Sequence, residues 1–421
     1  LRSDPALCLE VEKAEKLLKE LIPEEAGAQE FIFDPPRSQV IIHADKPGLV
    51  IGKQGEILRE IRAKTFWVPL IKRLPPIRSK LIESIRSVLY EHADERKKFL
   101  DKTGHRIYDG WIRSKKHEWV RLSCLGASRQ VGRTCFLIQT PESRVLIDCG
   151  IDASQEGTEA YPFLDAPEFN ISELDAVIVT HSHLDHSGLI PYLFKFGYTG
   201  PVYCTLPTRD VMALLQLDMV KIQRSEGKEP IYTSEEVRQM VLHTICLEYE
   251  EVTDITPDVR LTFYGAGHVI GSSIVHLNIG NGLHNFAYTG DLKYARTNVL
   301  EPGNTQFPRL ETLMIESTYG GKENVMAEKE ADDYMIKVIQ ETFARGGKVL
   351  MPVLGSGRAQ EVMIIVERLM REKLIPDAPV YLDGMLWDVT AIHTAYPEYL
   401  NRNIREQIFH KENNPFLSGI F

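Results

Sequence analysis

The segment Thr180-His181-Ser182-His183-Leu184-Asp185-His186 places three imidazoles and a carboxylate within six residues. The apolar run Ala176-Val177-Ile178-Val179 ahead of it reads as a strand, so these side chains emerge at a strand's C-terminal end. In an extended loop His181 and His183 project to one side, because side chains alternate with period two. Asp185 and His186 follow as the chain turns toward a helix near Gly188. Imidazole and carboxylate donors suit zinc, and a catalytic zinc keeps a position open for water. Three further candidates lie elsewhere: His268 in Gly265-Ala266-Gly267-His268-Val269-Ile270-Gly271, Asp291 after Tyr288-Thr289-Gly290, and Asp148 after Val145-Leu146-Ile147. A lone histidine or a strand-end aspartate is ordinary; beside the cluster, these three become candidate ligands or ligand supports. His243, His276, His284 and His393 read as structural.

A second pattern, Gly52-Lys53-Gln54-Gly55, lies between two helical stretches. Its glycines let backbone approach a sugar-phosphate closely, the N–H groups opening the following helix favour phosphate, and Lys53 adds charge. The surrounding charge agrees. The 421 residues carry a formal charge of -10, yet Arg37 through Arg121 hold 20 Lys plus Arg against 10 Asp plus Glu. A basic segment beside an acidic body is an electrostatic footprint for nucleic acid.

The elements that must position these residues form two patterns. Helical spacing of Leu7, Val11, Ala14, Leu17, Leu18, Leu21 and Ile22 ends at Pro23. Strands at 30–33 and 39–44, helix-turn-helix over 47–64, a strand at 67–73 and a helix over 77–100 complete a small α/β unit. Residues 102–116 read as a basic connector. From Trp119 the chain becomes strand-rich, at 119–125, 134–140, 145–148, 176–180, 260–264, 274–279, 286–289 and 312–316, with helices at 189–196 and 208–224. Helices over 328–345 and 359–371 alternate with strands expected at 348–352 and 379–382, the signature of a parallel sheet. The length implies two or three domains, and 43% hydrophobic residues supply their cores. No apolar run approaches the roughly 20 residues that span a bilayer. Six scattered cysteines give neither a disulfide framework nor a zinc ribbon, so a reducing cytoplasm is the expected compartment.

The order His181-x-His183-x-Asp185-His186, His268, Asp291 and Asp148 resembles the motifs of the metallo-β-lactamase superfamily. That resemblance implies that His181, His183 and His268 hold one zinc and Asp185 with His186 a second. Asp291 would bridge the two Zn2+, and Asp148 would orient ligands from behind. Glu316-Ser317-Thr318-Tyr319-Gly320 and Gly355-Ser356-Gly357-Arg358-Ala359-Gln360-Glu361 resemble the β-CASP branch, which cleaves nucleic acids. There Glu316 would take part in proton handling at the scissile phosphate, and Arg358 is a candidate RNA contact. Leu49 through Arg59 resembles the GxxG loop of a KH domain, making Gly52, Lys53, Gln54, Gly55 and Arg59 candidate RNA contacts.

The combination resembles the archaeal cleavage and polyadenylation specificity factor-like ribonucleases. It implies an α/β fold class: an N-terminal KH unit, a metallo-β-lactamase αββα sandwich and a partial β-CASP insertion. The expected boundaries are 1–22 (the tail of a preceding KH unit), 23–105 (KH), 106–118 (connector), 119–320 (metallo-β-lactamase) and 321–421 (β-CASP). The implied activity is zinc-dependent endonuclease cleavage of single-stranded RNA, with 5′ to 3′ exonuclease action, in mRNA 3′-end processing and transcription termination. A homodimer and contact with the transcription machinery are implied as well, and no membrane. The family supplies a last histidine to the second zinc, and another near the leaving group, after the β-CASP insertion. Neither pattern occurs before Phe421, so the gene product is expected to continue beyond it. The rival readings are a non-catalytic RNA-binding scaffold and a different hydrolase on the same fold.

Overall fold

Alternating apolar side chains make strands of Ala28–Asp34 (β1) and Gln39–Ala44 (β2), which pair antiparallel from Phe31↔Ile42 to Asp34↔Gln39. Val68–Arg73 (β3) adds parallel to β2. Four helices precede or connect these strands or follow them: α1 (Val11–Leu21), α2 (Pro47–Ile51), α3 (Glu56–Thr65) and α4 (Lys80–Glu91), the last capped by Ser79, whose Oγ accepts from Ile82 N. A fifth, α5, spans Ala93–Tyr108. Ala14 and Leu18 of α1 lie four apart and bury against Phe33, Val40, Ile42, Val50, Ile61 and Trp67. From Val11 onward the segment assigned to a preceding unit therefore packs into this core. The computed structural model describes residues 7–109, 118–322, 326–409 and 414–421, in two units, Leu1–Gly104 and His105–Phe421.

In the second unit two sheets face each other. Six strands run in sequential order: β4 (Arg121–Cys124), β5 (Phe136–Gln139), β6 (Arg144–Ile147), β7 (Ala176–Ile178), β8 (Val202–Cys204) and β9 (Thr244–Cys246), the first three antiparallel and the rest parallel. Between them lie α6 (Leu184–Ser187), α7 (Ile190–Lys195), α8 (Leu206–Ser225) and α9 (Ser234–His243). The other sheet runs β10 (Thr253–Thr256), β11 (Val259–Gly265), β12 (Ser273–Ile279), β13 (His284–Tyr288) and β14 (Thr312–Met314), antiparallel until β14 joins β13 in parallel. Ile138, Val145, Ile147 and Ile178 of one sheet bury against Leu261, Phe263, Val275, Leu277 and Phe286 of the other. This is the αββα sandwich expected from the sequence. Each buried aliphatic side chain contributes about 1.5–3 kcal/mol to holding the sheets together.

The remaining chain carries α10 (Glu328–Ala344), α11 (Arg358–Arg371), α12 (Leu386–Ala395) and α13 (Arg402–Ile408). Two expectations need correction here. The segments 348–352 and 379–382 form no strand, because neither finds a backbone ladder: Val380 N donates to Ile420 O, but no register of paired residues develops. Their side chains still alternate, with Val349, Met351 and Val380 packed beside the α10 and α11 core and Leu350 and Tyr381 about nine-tenths exposed. The basic connector also begins later than the sequence suggested. Gly104 does not stop α5, since a helical glycine costs only about 1 kcal/mol and Arg106 is anchored by Asp175 at 2.9 Å. The rest of that connector, 110–117, lies outside the described residues, as do residues 1–6 of the N-terminal segment.

Candidate metal centre and nucleic-acid interface

Five chain segments deliver side chains to one edge of the sandwich. β6 ends at Ile147 and β7 at Ile178 in parallel, so Asp148 and the His181–His186 loop leave the same end of one sheet. β13 and β14 are likewise parallel, which brings Asp291 and Glu316 to the end of the other. The β11–β12 turn adds His268. Ser273 links the two sheets here, its N and Oγ both donating to Thr180 O at 2.8 and 3.0 Å.

Asp148 is fully buried and takes a left-handed backbone, φ +58°. Asp tolerates this conformation better than most residues, and such outliers persist where the surroundings over-determine them. The surroundings do so here. Thr180 N donates to Oδ1 and Thr180 Oγ1 to Oδ2, each at 2.8 Å, and His186 Nδ1 lies 2.8 Å from Oδ2. A carboxylate behind Nδ1 fixes the tautomer and turns His186 Nε2 outward. Burial opposes a charged His186, but Asp148 and Asp291 outweigh it and raise its proton affinity well above the usual imidazole range.

Three imidazole nitrogens converge on a second point. His183 Nδ1 lies 3.2 Å from His181 Nε2 and 3.3 Å from His268 Nε2. Burial lowers the proton affinity of all three rings, that of His268 to about 4, so they are neutral at pH 7 and present lone pairs to one another. Neutral rings are free to turn a lone pair from each of these three nitrogens onto a shared cation. Asp291 joins both groups: Oδ2 lies 3.5 Å from His268 Nε2 and 3.9 Å from His181 Nε2, while Oδ1 lies 3.3 Å from His186 Nε2. Burial would raise its carboxyl, yet the imidazoles of His186, His268 and His183 bring it down to about 2. Asp185 Oδ2 lies 3.8 Å from His186 Nε2. The donor atoms of His181, His183, His268 and Asp291 all fall within 4.8 Å of one another, as do those of His181, Asp185 and His186. The donor chemistry fits a divalent metal.

Close backbone approach sets these loops. A Cβ on Gly150 would sit 1.7 Å from Asp185 O and 2.6 Å from His186 N, so glycine there lets the metal loop close over β6. Gly267, at φ +69°, passes within 2.9 Å of backbone atoms of Gly303, Glu301 and Lys293 when given a Cβ. His268 N then donates to Ser272 Oγ at 3.1 Å, which fixes the ring's origin.

Glu316 is half-buried, and its Oε2 accepts from Thr318 N at 2.8 Å, a capping contact. Its own N donates to Thr289 Oγ1 at 3.2 Å, which places it beside the strand that ends in Asp291. Arg358 is exposed at the start of α11, lines a cleft together with His268, and its charge adds to the lowering of His268. Glu361, one turn on, accepts from Asn298 N, Asn298 Nδ2 and Val299 N, tying α11 to the loop after Asp291. Sequence reading passed over that tie, over Gly150 and over Lys293, although Lys293 stands only two residues after Asp291.

In the first unit Gly52 and Gly55 both have positive φ, +73° and +75°, as does Gln54 at +52°. Lys53, Gln54 and Arg59 are exposed. Arg59 Nη1 donates to Gln54 O at 2.7 Å, so Arg59 also braces the loop it was expected to extend. Leu49 and Ile51 beside the loop are about two-fifths exposed.

Three family models match parts of this chain. Residues 13–65 match a KH domain model, 129–319 that of the metallo-beta-lactamase superfamily and 359–419 that of the Beta-Casp domain. Proteins named transcription termination factor FttA from Methanocaldococcus jannaschii and Thermococcus kodakarensis are each 52% identical to it over 100% of this chain, and one from Lokiarchaeum sp. is 44% identical over the same share. The chain spans 66%, 66% and 65% of those relatives' lengths.

Proposed function

The chain belongs to the family that joins KH, metallo-β-lactamase and β-CASP domains, and from that premise we propose that it cleaves phosphodiester bonds of single-stranded RNA in transcription termination. The observation that carries the reading is Asp291, whose two oxygens face two separate groups of donor atoms. We assign His181, His183 and His268 to one Zn2+, Asp185 and His186 to a second, and Asp291 to both. When bound, such ions neutralise charge on the phosphate and acidify water at neutral pH.

The protein's own residues supply the rest. Asp148 holds the proton on His186 Nδ1, leaving Nε2 as the ligand. Asp185 brings the carboxylate nearest His186 Nε2 after Asp291. Glu316, with one carboxylate oxygen engaged by Thr318 N, offers the other for proton handling at the scissile phosphate. Arg358 adds positive charge at the rim. In the KH unit Gly52 through Gly55 receive the RNA backbone, with Lys53 supplying charge. Endonucleolytic and 5′ to 3′ exonucleolytic action, a role in mRNA 3′-end processing, assembly with a second copy and contact with the transcription machinery belong to the same proposal. Among the described residues no helix is long and apolar enough to cross a membrane.

The test pairs zinc content by elemental analysis with cleavage of a labelled single-stranded RNA by the full-length protein. The double variant Asp185→Ala, His186→Ala is expected to lose zinc and at least a thousandfold in cleavage, on the order of removing a principal catalytic electrostatic group. Equal cleavage by variant and wild type refutes the metal mechanism. RNA binding without cleavage by the zinc-loaded wild type establishes the scaffold reading instead.

A further inference from the structure

A small cleft of about 20 Å³, enough for one water-sized group, opens beside His268 and is bounded by Lys293, Val299, Arg358 and His393. Its two cations, Lys293 and Arg358, form no ion pair among the described residues. The one carboxylate in its wall, Glu361, is already satisfied by Asn298 and Val299 backbone and side-chain N–H groups. The cleft is therefore positive and lies against a metal-ligand ring.

His393 closes the inner end. It is 1% exposed, on α12, and its Nδ1 donates to Val389 O at 2.8 Å, one turn back. That bond places the ring's single proton on Nδ1, because burial keeps the imidazole neutral, with proton affinity lowered to about 4. Nε2 is then an acceptor only. It has no hydrogen-bond partner among the described residues, and His393 is one of the residues lining the cleft. With Nδ1 turned back onto its own helix, the ring edge left to line the cleft carries Nε2.

A site with two cations and one obligate acceptor in its lining selects a ligand that carries both an anion and a hydroxyl donor. A ribonucleotide has both, and a deoxyribonucleotide lacks the donor. We propose that this cleft receives the 2′-hydroxyl of one ribonucleotide bound beside the metal centre, with Lys293 and Arg358 holding its phosphate at the rim and His393 Nε2 accepting from the hydroxyl. His393 is thus a specificity residue that selects RNA over DNA. The assignment rests on the RNA-cleavage reading above.

The test uses the zinc-loaded full-length protein and a labelled single-stranded RNA, together with the same strand carrying one 2′-deoxynucleotide at successive positions around the mapped cut. Wild type loses about five- to tenfold in kcat/KM at one position, the worth of one buried hydrogen bond. His393→Phe shows no penalty there, and His393→Gln, whose Oε1 restores an acceptor, recovers part of it. An equal penalty in His393→Phe and wild type, or no penalty at any position, overturns the proposal. Should the Phe variant fail to fold, Lys293→Gln on the half-exposed rim decides the phosphate half. Its affinities for RNA and DNA strands fall together, and the slope of log affinity against log salt drops by about 0.7, one phosphate contact on a single strand. An unchanged slope removes the cleft as a phosphate site. Failure of wild type to cut the all-ribose strand removes the nuclease reading and this inference with it; cutting with a penalty independent of His393 removes the inference alone.

Discussion

Two loops hold the candidate chemistry, and they are built in opposite ways. The His181–His186 loop is sunk into the sandwich: His181 and Asp148 are fully buried, and the N–H groups of Thr134, Cys149 and Ile151 donate to Asp185 O, His186 O and Leu184 O from behind. The Gly52–Gly55 loop is exposed, and its side-chain braces are Arg59 to Gln54 O and Glu56 to Lys53 N. A metal needs donors fixed to a few tenths of an ångström, so its loop is over-determined by packing. A nucleic-acid backbone needs an accessible, positive surface, so its loop is left open. Substitutions should therefore be costly in the first loop and local in the second.

The largest effect is expected at Gly150. An alanine methyl would overlap backbone atoms of Asp185 and His186, which cannot move like a flexible side chain, so Gly150→Ala should cost about 3 kcal/mol in stability and abolish zinc binding. Urea unfolding and zinc analysis read both; unchanged zinc content would show that the loop can yield. A smaller and broader effect follows pH in the chelated protein. His181, His183, His268 and His393 are all held below the ordinary value of 6.5 by burial, the last two at about 4. Below pH 6.5 each binds fewer protons folded than unfolded, so their contribution is present above 6.5 and is lost as pH falls, for His268 and His393 through about 4. His186, held up by Asp148, acts in the opposite sense at higher pH. The urea midpoint should decline from pH 6.5 to 4.5, and a flat profile would contradict the buried neutral cluster. The smallest effect belongs to the open loop. Lys53→Ala should weaken RNA binding severalfold, with zinc content and melting temperature unchanged, whereas Gly52→Asp adds a like charge to phosphate and a Cβ 2.9 Å from Ile57. Unchanged RNA affinity in both variants would remove the KH loop from recognition.

The contrast also explains how far the sequence could be read. His181 to His186 stand together in the chain, so their convergence needs only the period-two geometry of an extended segment. The helices of the KH unit follow from apolar spacing. Helix α9 was passed over although Thr233 and Glu236 spell its capping box. The segments 348–352 and 379–382 have strand composition without a partner ladder, and pairing is a property of the neighbour as much as of the segment. Arg59 shows the same limit at a site, since its charge is legible and its bond to Gln54 O is not.

By itself, then, the chain determined the donor types, the basic segment with its glycine loop, and the order of strands that carries them. The tertiary structure alone decided that Asp291 reaches both donor groups, that Asp148 fixes the proton of His186, and that His393, unremarkable in sequence, ends a positive cleft beside His268. The physical reason is distance: a ligand's type is written at one position, but the groups that orient it, such as Asp148 behind His186, 38 positions away, and His268 against His183, 85 positions away, are brought to it only by packing.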